Sequence, residues 1–131
     1  MSIIHVIFVE DEPDIRSIVE MAMQLDNGIH YKSFDSGRSA LAFASESGQN
    51  FDLALLNFRL PYMTGIELHK QLRLIPNLSN IVTALITAHI LEDDIAIYKS
   101  TGIAGYISKP FDPITLAGQL RGIYEGNVEQ R

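Results

Sequence analysis

The sequence predicts one α/β domain, a (βα)5 arrangement in which a five-stranded parallel sheet carries helices on both faces. Two observations support this fold class. Five short apolar runs alternate with five amphipathic stretches along the 131 residues, and polar side chains follow four of the apolar runs. In a doubly wound sheet, binding sites form beyond the carboxyl ends of the strands. The polar side chains are therefore expected to meet at one edge of the sheet.

The first strand is predicted over residues 3–9, a run rich in β-branched residues that is too short for a typical helix. Pro13 suits a first helical turn. The apolar residues that follow at helical spacing are Ile15, Ile18, Val19, Ala22 and Leu25. A turn signal at residues 26–28 ends this helix. Residues 29–34 then alternate with polar residues, which predicts a second strand at an edge of the sheet.

The second helix is predicted to begin at Ser36 or Ser39 and to end at residues 48–50, Gly-Gln-Asn. Its apolar residues are Ala40, Leu41, Phe43 and Ala44. The apolar run at residues 51–56 predicts the third strand. Residues 64–74 predict the third helix, whose apolar residues are Ile66, Leu68, Leu72 and Leu74.

Residues 81–86 form another apolar run and predict the fourth strand. The fourth helix is predicted over residues 91–100, because three acids at its start, Glu92, Asp93 and Asp94, suit a helix amino terminus. Gly102 is expected to stop that helix. Residues 103–107 predict the fifth strand.

The last helix is predicted to start at Pro113 and to run to about Tyr124. The domain is then expected to occupy residues 1–125, and residues 126–131 are expected to be a short polar tail.

Composition limits the classes of function. Ten Lys and Arg stand against sixteen Asp and Glu, a net charge of −6, which argues against direct binding of nucleic acid. The chain has no cysteine, so disulfide and thiolate chemistry are excluded. The amino terminus shows no basic region and no long apolar segment, so we expect neither a signal peptide nor a membrane span, and a cytoplasmic location.

The polar residues at the strand ends indicate a phosphoryl site. Glu10 and Asp11 follow strand one, Asn57 follows strand three, Thr87 follows strand four and Lys109 follows strand five. Alone, these residues would suggest a solvated helix start, a cap and a surface charge. Together they combine acids that attract Mg²⁺ with a hydroxyl and an ammonium that hold phosphoryl oxygens.

Four segments carry a family resemblance: residues 6–12, 52–65, 84–88 and 105–111. With these segments the sequence resembles the receiver domains of two-component response regulators over residues 3 to about 125. The resemblance implies a flavodoxin-like fold and a part in phosphorelay signal transduction.

By this resemblance, Asp11 would bind Mg²⁺ directly and Glu10 would bind it through water. The main-chain carbonyl of Arg59 would be the third protein ligand, and Asn57 could offer a neutral oxygen. Since one anionic ligand is missing at Asn57, we expect weakened Mg²⁺ binding.

The resemblance also assigns the phosphoryl contacts. Thr87 and Lys109 would hold the phosphoryl group, and Thr87 with Tyr106 would form a switch pair that moves on activation. The peptide bond between Lys109 and Pro110 would be cis.

Two further side chains, Arg59 and His89, are expected on the rim of the pocket because each lies two positions beyond a site residue. The other histidines are assigned elsewhere. His5 and His30 lie within strand patterns and are expected to be structural, and His69 is expected to be exposed in the middle of a helix.

Asn57 departs from the receiver pattern, because it matches the aspartate that accepts the phosphoryl group. An amide oxygen is a poor nucleophile. Three explanations stay open: an engineered change from Asp to Asn, a natural receiver that has abandoned phosphorylation, and an Asn that deamidates to Asp, a route that bulky Phe58 would slow.

The sequence therefore predicts a receiver module of a phosphorelay that signals by protein contact and cannot be phosphorylated in this form. Its expected partners are a histidine kinase or a phosphotransfer protein, and a downstream protein bound on the face of helix four, strand five and helix five. A homodimer could use the same face. The alternative is a natural, phosphorylation-independent pseudo-receiver, a pure interaction module. No enzymatic activity is expected.

Overall fold

The computed structural model describes residues 3–128. Its central sheet consists of five parallel strands: β1 (Ile4–Val9), β2 (Ile29–Phe34), β3 (Leu53–Asn57), β4 (Val82–Thr87) and β5 (Gly105–Ser108). The strand order is β2-β1-β3-β4-β5. The prediction of a five-stranded parallel sheet is confirmed, and so is the edge position of β2.

Five helices cover the sheet: α1 (Pro13–Met23), α2 (Gly37–Ser47), α3 (Gly65–Arg73), α4 (Glu92–Ser100) and α5 (Leu116–Val128). Alternate residues of β1 belong to different cores. Val6 and Phe8 pack with α1 and α5, whereas Ile7 and Val9 pack with α2, α3 and α4. Because helices cover both faces of the sheet, the central strands β1, β3 and β4 are nearly continuous apolar runs, whereas the edge strand β2 alternates with polar residues.

Local signals fix several helix ends. The Ser36 hydroxyl accepts a hydrogen bond from the main-chain N–H of Ser39 at 3.1 Å, so Ser36 caps α2 and Ser39 lies inside it. Gly48 has a φ of 64° at the end of α2. Gly102, with a φ of 84°, follows α4 as predicted.

The prediction that Pro113 starts the last helix is wrong, because Asp112 organises a separate turn there. Its carboxylate accepts from the N–H of Ile114 at 2.9 Å, and its carbonyl accepts from the N–H of Thr115 at 3.1 Å. This turn covers residues 113–115, and α5 begins only at Leu116.

The same helix is longer than predicted, since α5 ends at Val128 rather than near Tyr124. Residues 126–128 of the predicted polar tail are therefore helical, and residues 129–131 lie outside the described residues.

His69 on α3 is buried, with 2% of its surface exposed, so the prediction that it is exposed is wrong. Its Nε2 lies 3.1 Å from the carbonyl of Thr101, which can only accept, and its Nδ1 lies 2.7 Å from the hydroxyl of Thr83. A neutral ring that donates from Nε2 and accepts at Nδ1 satisfies both partners. These two bonds explain how a polar side chain is accommodated between α3, β4 and the end of α4.

Two small elements were not predicted. Residues Arg59–Leu60 and Met63–Thr64 form a two-residue antiparallel ladder, with Tyr62 at a φ of 66° in its turn. A 3₁₀ turn covers Pro76–Leu78. The ladder follows β3 directly, so it fixes the position of the Arg59 carbonyl beside Asn57.

Candidate functional site

The carboxyl ends of neighbouring strands bring the predicted site residues together. Asn57 and Thr87 are the last residues of β3 and β4, while Glu10 follows β1 and Lys109 comes after β5. Since β1, β3, β4 and β5 are consecutive in the sheet, these four side chains lie at one edge.

Asn57 lies at the centre of this edge, with 6% of its surface exposed. Its Oδ1 accepts a hydrogen bond from Nζ of Lys109 at 2.8 Å. Its Nδ2 donates to the carbonyl of Arg59 at 2.7 Å and to Oε2 of Glu10 at 3.2 Å. The amide therefore connects the end of β1, the ladder after β3 and the residue after β5.

Glu10 is the buried acid of the site, with 1% of its surface exposed. Its Oε2 also accepts from the N–H of Glu12 at 3.1 Å. Its Oε1 is buried and has no hydrogen-bond partner among the described residues. Burial raises the pKa of Glu10, although the Glu12 N–H and the charge of Lys109 act in the opposite direction. The site thus contains a carboxylate oxygen available to a further donor or a cation.

The oxygen atoms at this edge are of the type that a hard cation such as Mg²⁺ binds. They are the carboxylates of Glu10 and the exposed Asp11, and the carbonyl of Arg59. Between residues 3 and 128, no group of three or more His, Asp or Glu side chains is arranged to hold a metal ion. Any cation here would rely on two acids and neutral oxygens, and Nδ2 of Asn57 already points at two of the donors.

Thr87 is buried, and its hydroxyl is engaged within the chain. Its Oγ1 accepts from the N–H of His89 at 2.8 Å and lies 3.3 Å from the hydroxyl of Tyr98. Sequence reasoning did not include Tyr98 in the site. Its position three residues after Ile95 on one side of α4 indicates a core aromatic, but nothing in that spacing identifies Thr87 as its partner.

Tyr106, the predicted switch partner of Thr87, lies farther out, with 38% of its surface exposed. Its ring centroid is 6.2 Å from that of Tyr98. Tyr98 is therefore near both the Tyr106 ring and the buried Thr87 hydroxyl. The role of Tyr106 in a switch stays a prediction.

A cavity of about 100 Å³ opens at this edge. It is lined by Asn57, Phe58, Arg59, Thr87, Ala88, His89 and Lys109. Nη2 of Arg59 lies 3.3 Å from Nε2 of His89, and the Phe58 ring packs against the His89 ring with centroids 5.3 Å apart. Arg59 and His89 thus both line this cavity, and their place at its rim stays a prediction.

Known proteins share the sequence pattern of this chain. A sequence model of the response regulator receiver domain matches residues 6–121. The transcriptional regulatory protein CseB of Streptomyces coelicolor is 29% identical over 91% of this chain and 48% of its own length. The chemotaxis protein CheY-3 of Vibrio cholerae is also 29% identical, over 92% of this chain and 91% of its own length. The chain therefore spans about half of CseB and nearly all of CheY-3.

Solved structures show the same fold. The chemotaxis response regulator CheY4 of Vibrio cholerae superimposes with a TM-score of 0.82, at 29% identity, over 93% of this chain and 99% of that one. This likeness confirms the flavodoxin-like fold. Separately, no helix between residues 3 and 128 combines the length and the apolar character needed to cross a bilayer.

Proposed function

Because this chain belongs to the response regulator receiver family, we propose that it is a phosphorelay receiver module that is not phosphorylated in this form and signals by protein contact. One observation supports the proposal that this form is not phosphorylated. At the phosphoacceptor position stands the amide of Asn57, whose single oxygen accepts from Lys109 and whose nitrogen donates twice.

The chemistry follows from the amide. A carboxylate attacks phosphorus with a lone pair of an anionic oxygen, and the product is an acyl phosphate. The Asn57 oxygen carries no full charge, and its lone pair faces the Lys109 ammonium at 2.8 Å. Phosphoryl transfer requires an activated nucleophile in addition to positioning. Signalling by this form would run through constitutive binding or through a shift between existing conformations.

Mg²⁺ would be held at the same edge by Glu10, Asp11, Asn57 and the carbonyl of Arg59, but only if the Asn57 amide first gives up the hydrogen bonds seen here. Binding is expected to be weaker than in an Asn57→Asp variant, because that variant restores one anionic oxygen ligand. Thr87 and Lys109 would contact a phosphoryl group, and Tyr106 would complete the switch. In the present chain Mg²⁺ would neutralise negative charge at the site but would not support phosphoryl transfer. No enzymatic activity is proposed.

The downstream partner is assigned to the face of α4, β5 and α5. Three apolar or partly apolar side chains of α4 and β5 are exposed. The exposed fraction is 75% for Leu91, which directly precedes α4, 51% for Ile97 in α4 and 38% for Tyr106 in β5. We take these exposed apolar side chains as support for a protein contact on this face. A histidine kinase or phosphotransfer protein is the upstream partner, a homodimer can use the same face, and the location is cytoplasmic.

The alternative is a pseudo-receiver, a pure interaction module whose contacts are independent of phosphorylation. It shares the fold and the Asn57 amide with the first candidate. The two differ in what an aspartate at position 57 would do, since only a receiver with a working switch would couple phosphorylation to a change on the partner face.

Treatment with acetyl phosphate and Mg²⁺ tests the proposal, with intact mass as the readout. Asn57→Asp should gain the mass of one phosphoryl group, and the wild-type chain should not. Asn27→Asp is the matched control, because it adds the same charge in the exposed turn before β2, at the opposite edge of the sheet.

A phosphoryl adduct on the wild-type chain would overturn the proposal. A second readout, hydrogen exchange over residues 88–108, separates the two functions. Faster or slower exchange in phosphorylated Asn57→Asp supports the receiver, whereas an adduct without any change, or no adduct, supports the pseudo-receiver.

A further inference from the structure

Two oxygens converge on one nitrogen at the centre of the site. The carboxylate Oε2 of Glu10 and the carbonyl oxygen of Arg59 both accept from Nδ2 of Asn57, at 3.2 and 2.7 Å. Two acceptors placed this close repel each other unless a donor or a cation lies between them. The amide nitrogen carries two hydrogens, one for each acceptor, so it supplies what the pair requires.

The oxygen of the same amide is already used. Oδ1 of Asn57 lies 2.8 Å from Nζ of Lys109, which has donors and no acceptor. A carboxylate at this position has two oxygens, one for the ammonium and one for a cation. Asn57 has only one, so a cation bound to it would share that oxygen with the Lys109 ammonium, and the two positive charges would repel each other.

Rotation of the amide would not resolve this conflict. Turning Oδ1 of Asn57 toward a cation would bring Nδ2 to the Lys109 ammonium, donor against donor. The main chain beside Asn57 is held in place by two hydrogen bonds, from the N–H of Phe58 to the Ile86 carbonyl at 2.9 Å and from the N–H of Gly65 to the Phe58 carbonyl at 2.7 Å. The observed orientation of the amide therefore opposes cation binding through Asn57.

We propose that the Asn57 amide takes the place of the divalent cation in this chain. Its nitrogen joins Glu10 and the Arg59 carbonyl, and its oxygen joins Lys109, so the ends of β1, β3 and β5 are held by one neutral side chain. The resting structure of the site is then independent of divalent cations. This inference goes beyond the proposed function, because it concerns the resting site and holds whether or not the chain signals.

Lys109 is the residue through which the inference is tested. Mg²⁺ binding is measured by calorimetry for four proteins: the wild type, Lys109→Met, Asn57→Asp and the double variant. Removing the ammonium relieves repulsion of the cation equally in both backgrounds. Only with Asn57 does it also release the single oxygen. The affinity gain from Lys109→Met should therefore be about tenfold larger in the wild-type background than in the Asn57→Asp background, as expected for one hydrogen bond to a charged group.

Side-chain NMR of the wild-type protein gives a second test that does not depend on any variant folding. The two Nδ2 hydrogens of Asn57 should give separate, slowly exchanging signals in EDTA, and Mg²⁺ should leave them unchanged. Mn²⁺, as a paramagnetic probe, should not broaden them selectively.

Two results would overturn the inference: equal gains from Lys109→Met in both backgrounds, or loss of the Asn57 amide signals on addition of Mg²⁺ to the wild type. Neither result bears on phosphorylation of the chain. An adduct on the wild type would refute the proposed function and leave this inference in place.

Discussion

The hydroxyl of Tyr98 donates a hydrogen bond to the main-chain carbonyl of His89 at 2.6 Å. The same hydroxyl lies 3.3 Å from the hydroxyl of Thr87. Tyr98 is 3% exposed, so it joins α4 to the loop after β4 away from water. A buried carbonyl that loses such a donor is left unsatisfied, which destabilises the folded state.

We expect Tyr98→Phe to lower the free energy of unfolding by about 1–2 kcal/mol, because it keeps the ring and removes the donor. Amide exchange over residues 88–91 should become faster. Tyr106→Phe, a change on an exposed ring, is the control and should alter stability by less than about 0.5 kcal/mol. Equal exchange in both variants would show that the Tyr98 hydroxyl does not hold the loop.

The buried His69 should make the stability of the folded protein depend on pH. Burial, with the charges of Arg73 and Lys70, lowers the pKa of His69 from 6.5 to about 4. Between these values the unfolded chain binds a proton that the folded chain does not, so stability is full above pH 6.5 and falls as the pH drops. Up to about 3 kcal/mol of unfolding free energy should be lost by pH 4.

Urea unfolding from pH 7 to pH 4 measures this loss. His69→Leu should be less stable at pH 7, because Thr83 and the Thr101 carbonyl lose their partner, but its stability should decline less steeply with acid. His30→Gln removes an exposed histidine and should keep the wild-type slope. If His69→Leu also keeps that slope, His69 is not the group that titrates.

Two glycines should respond oppositely to alanine. A Cβ at Gly65 would lie 2.6 Å from the Asn57 carbonyl oxygen and 2.9 Å from Cδ2 of Leu85, so Gly65→Ala should cost about 1–3 kcal/mol of stability. No described atom lies within 4 Å of a Cβ at Gly118 in α5, where alanine should add up to about 1 kcal/mol. Thermal unfolding of both variants measures these changes in stability. A stabilised Gly65→Ala would contradict the close approach of α3 to β3.

The turn after α1 is tied to α5 by an ion pair. Nε and Nη2 of Arg121 donate to the two carboxylate oxygens of Asp26 at 2.8 and 3.0 Å. Arg121 lowers the pKa of Asp26, so the pair stabilises the fold above pH 3.8 and this contribution is lost as the pH falls through the lowered pKa.

A double-mutant cycle with Asp26→Asn and Arg121→Met should give a coupling of about 0.5–1 kcal/mol at pH 7, reduced at high salt. Urea unfolding at low and high ionic strength provides the four free energies. A coupling that does not change with salt would indicate packing of the Arg121 stem rather than charge.

Much of this architecture could be predicted from the sequence. The central strands β1, β3 and β4 are buried almost throughout, so they appear in the sequence as apolar runs, and parallel strands place their carboxyl ends at one edge. The convergence of Glu10, Asn57, Thr87 and Lys109 follows from those two facts together with the order of the strands in the sheet. The turn at Asp112 was missed because Pro113 fits a turn as well as a first helical turn, and only the hydrogen bonds of Asp112 distinguish them.

The hydrogen-bond partners of buried polar side chains could not be predicted from sequence patterns. His69 is polar on an otherwise amphipathic helix, and its partners Thr83 and Thr101 lie 14 and 32 residues away. Tyr98 reads as a core aromatic, and the hydrogen bonds of its hydroxyl depend on the path of the loop after β4. In both cases burial is tolerated only because distant groups satisfy the hydrogen bonds.

Asn57 shows most clearly what the sequence determines and what the tertiary structure adds. The sequence by itself determined that an amide, and no carboxylate, stands at position 57. Only the tertiary structure decided which way that amide faces, because its partners Glu10 and Lys109 lie 47 and 52 residues away. An amide has one donating and one accepting end, so its orientation is set by the groups that the folded sheet places on either side.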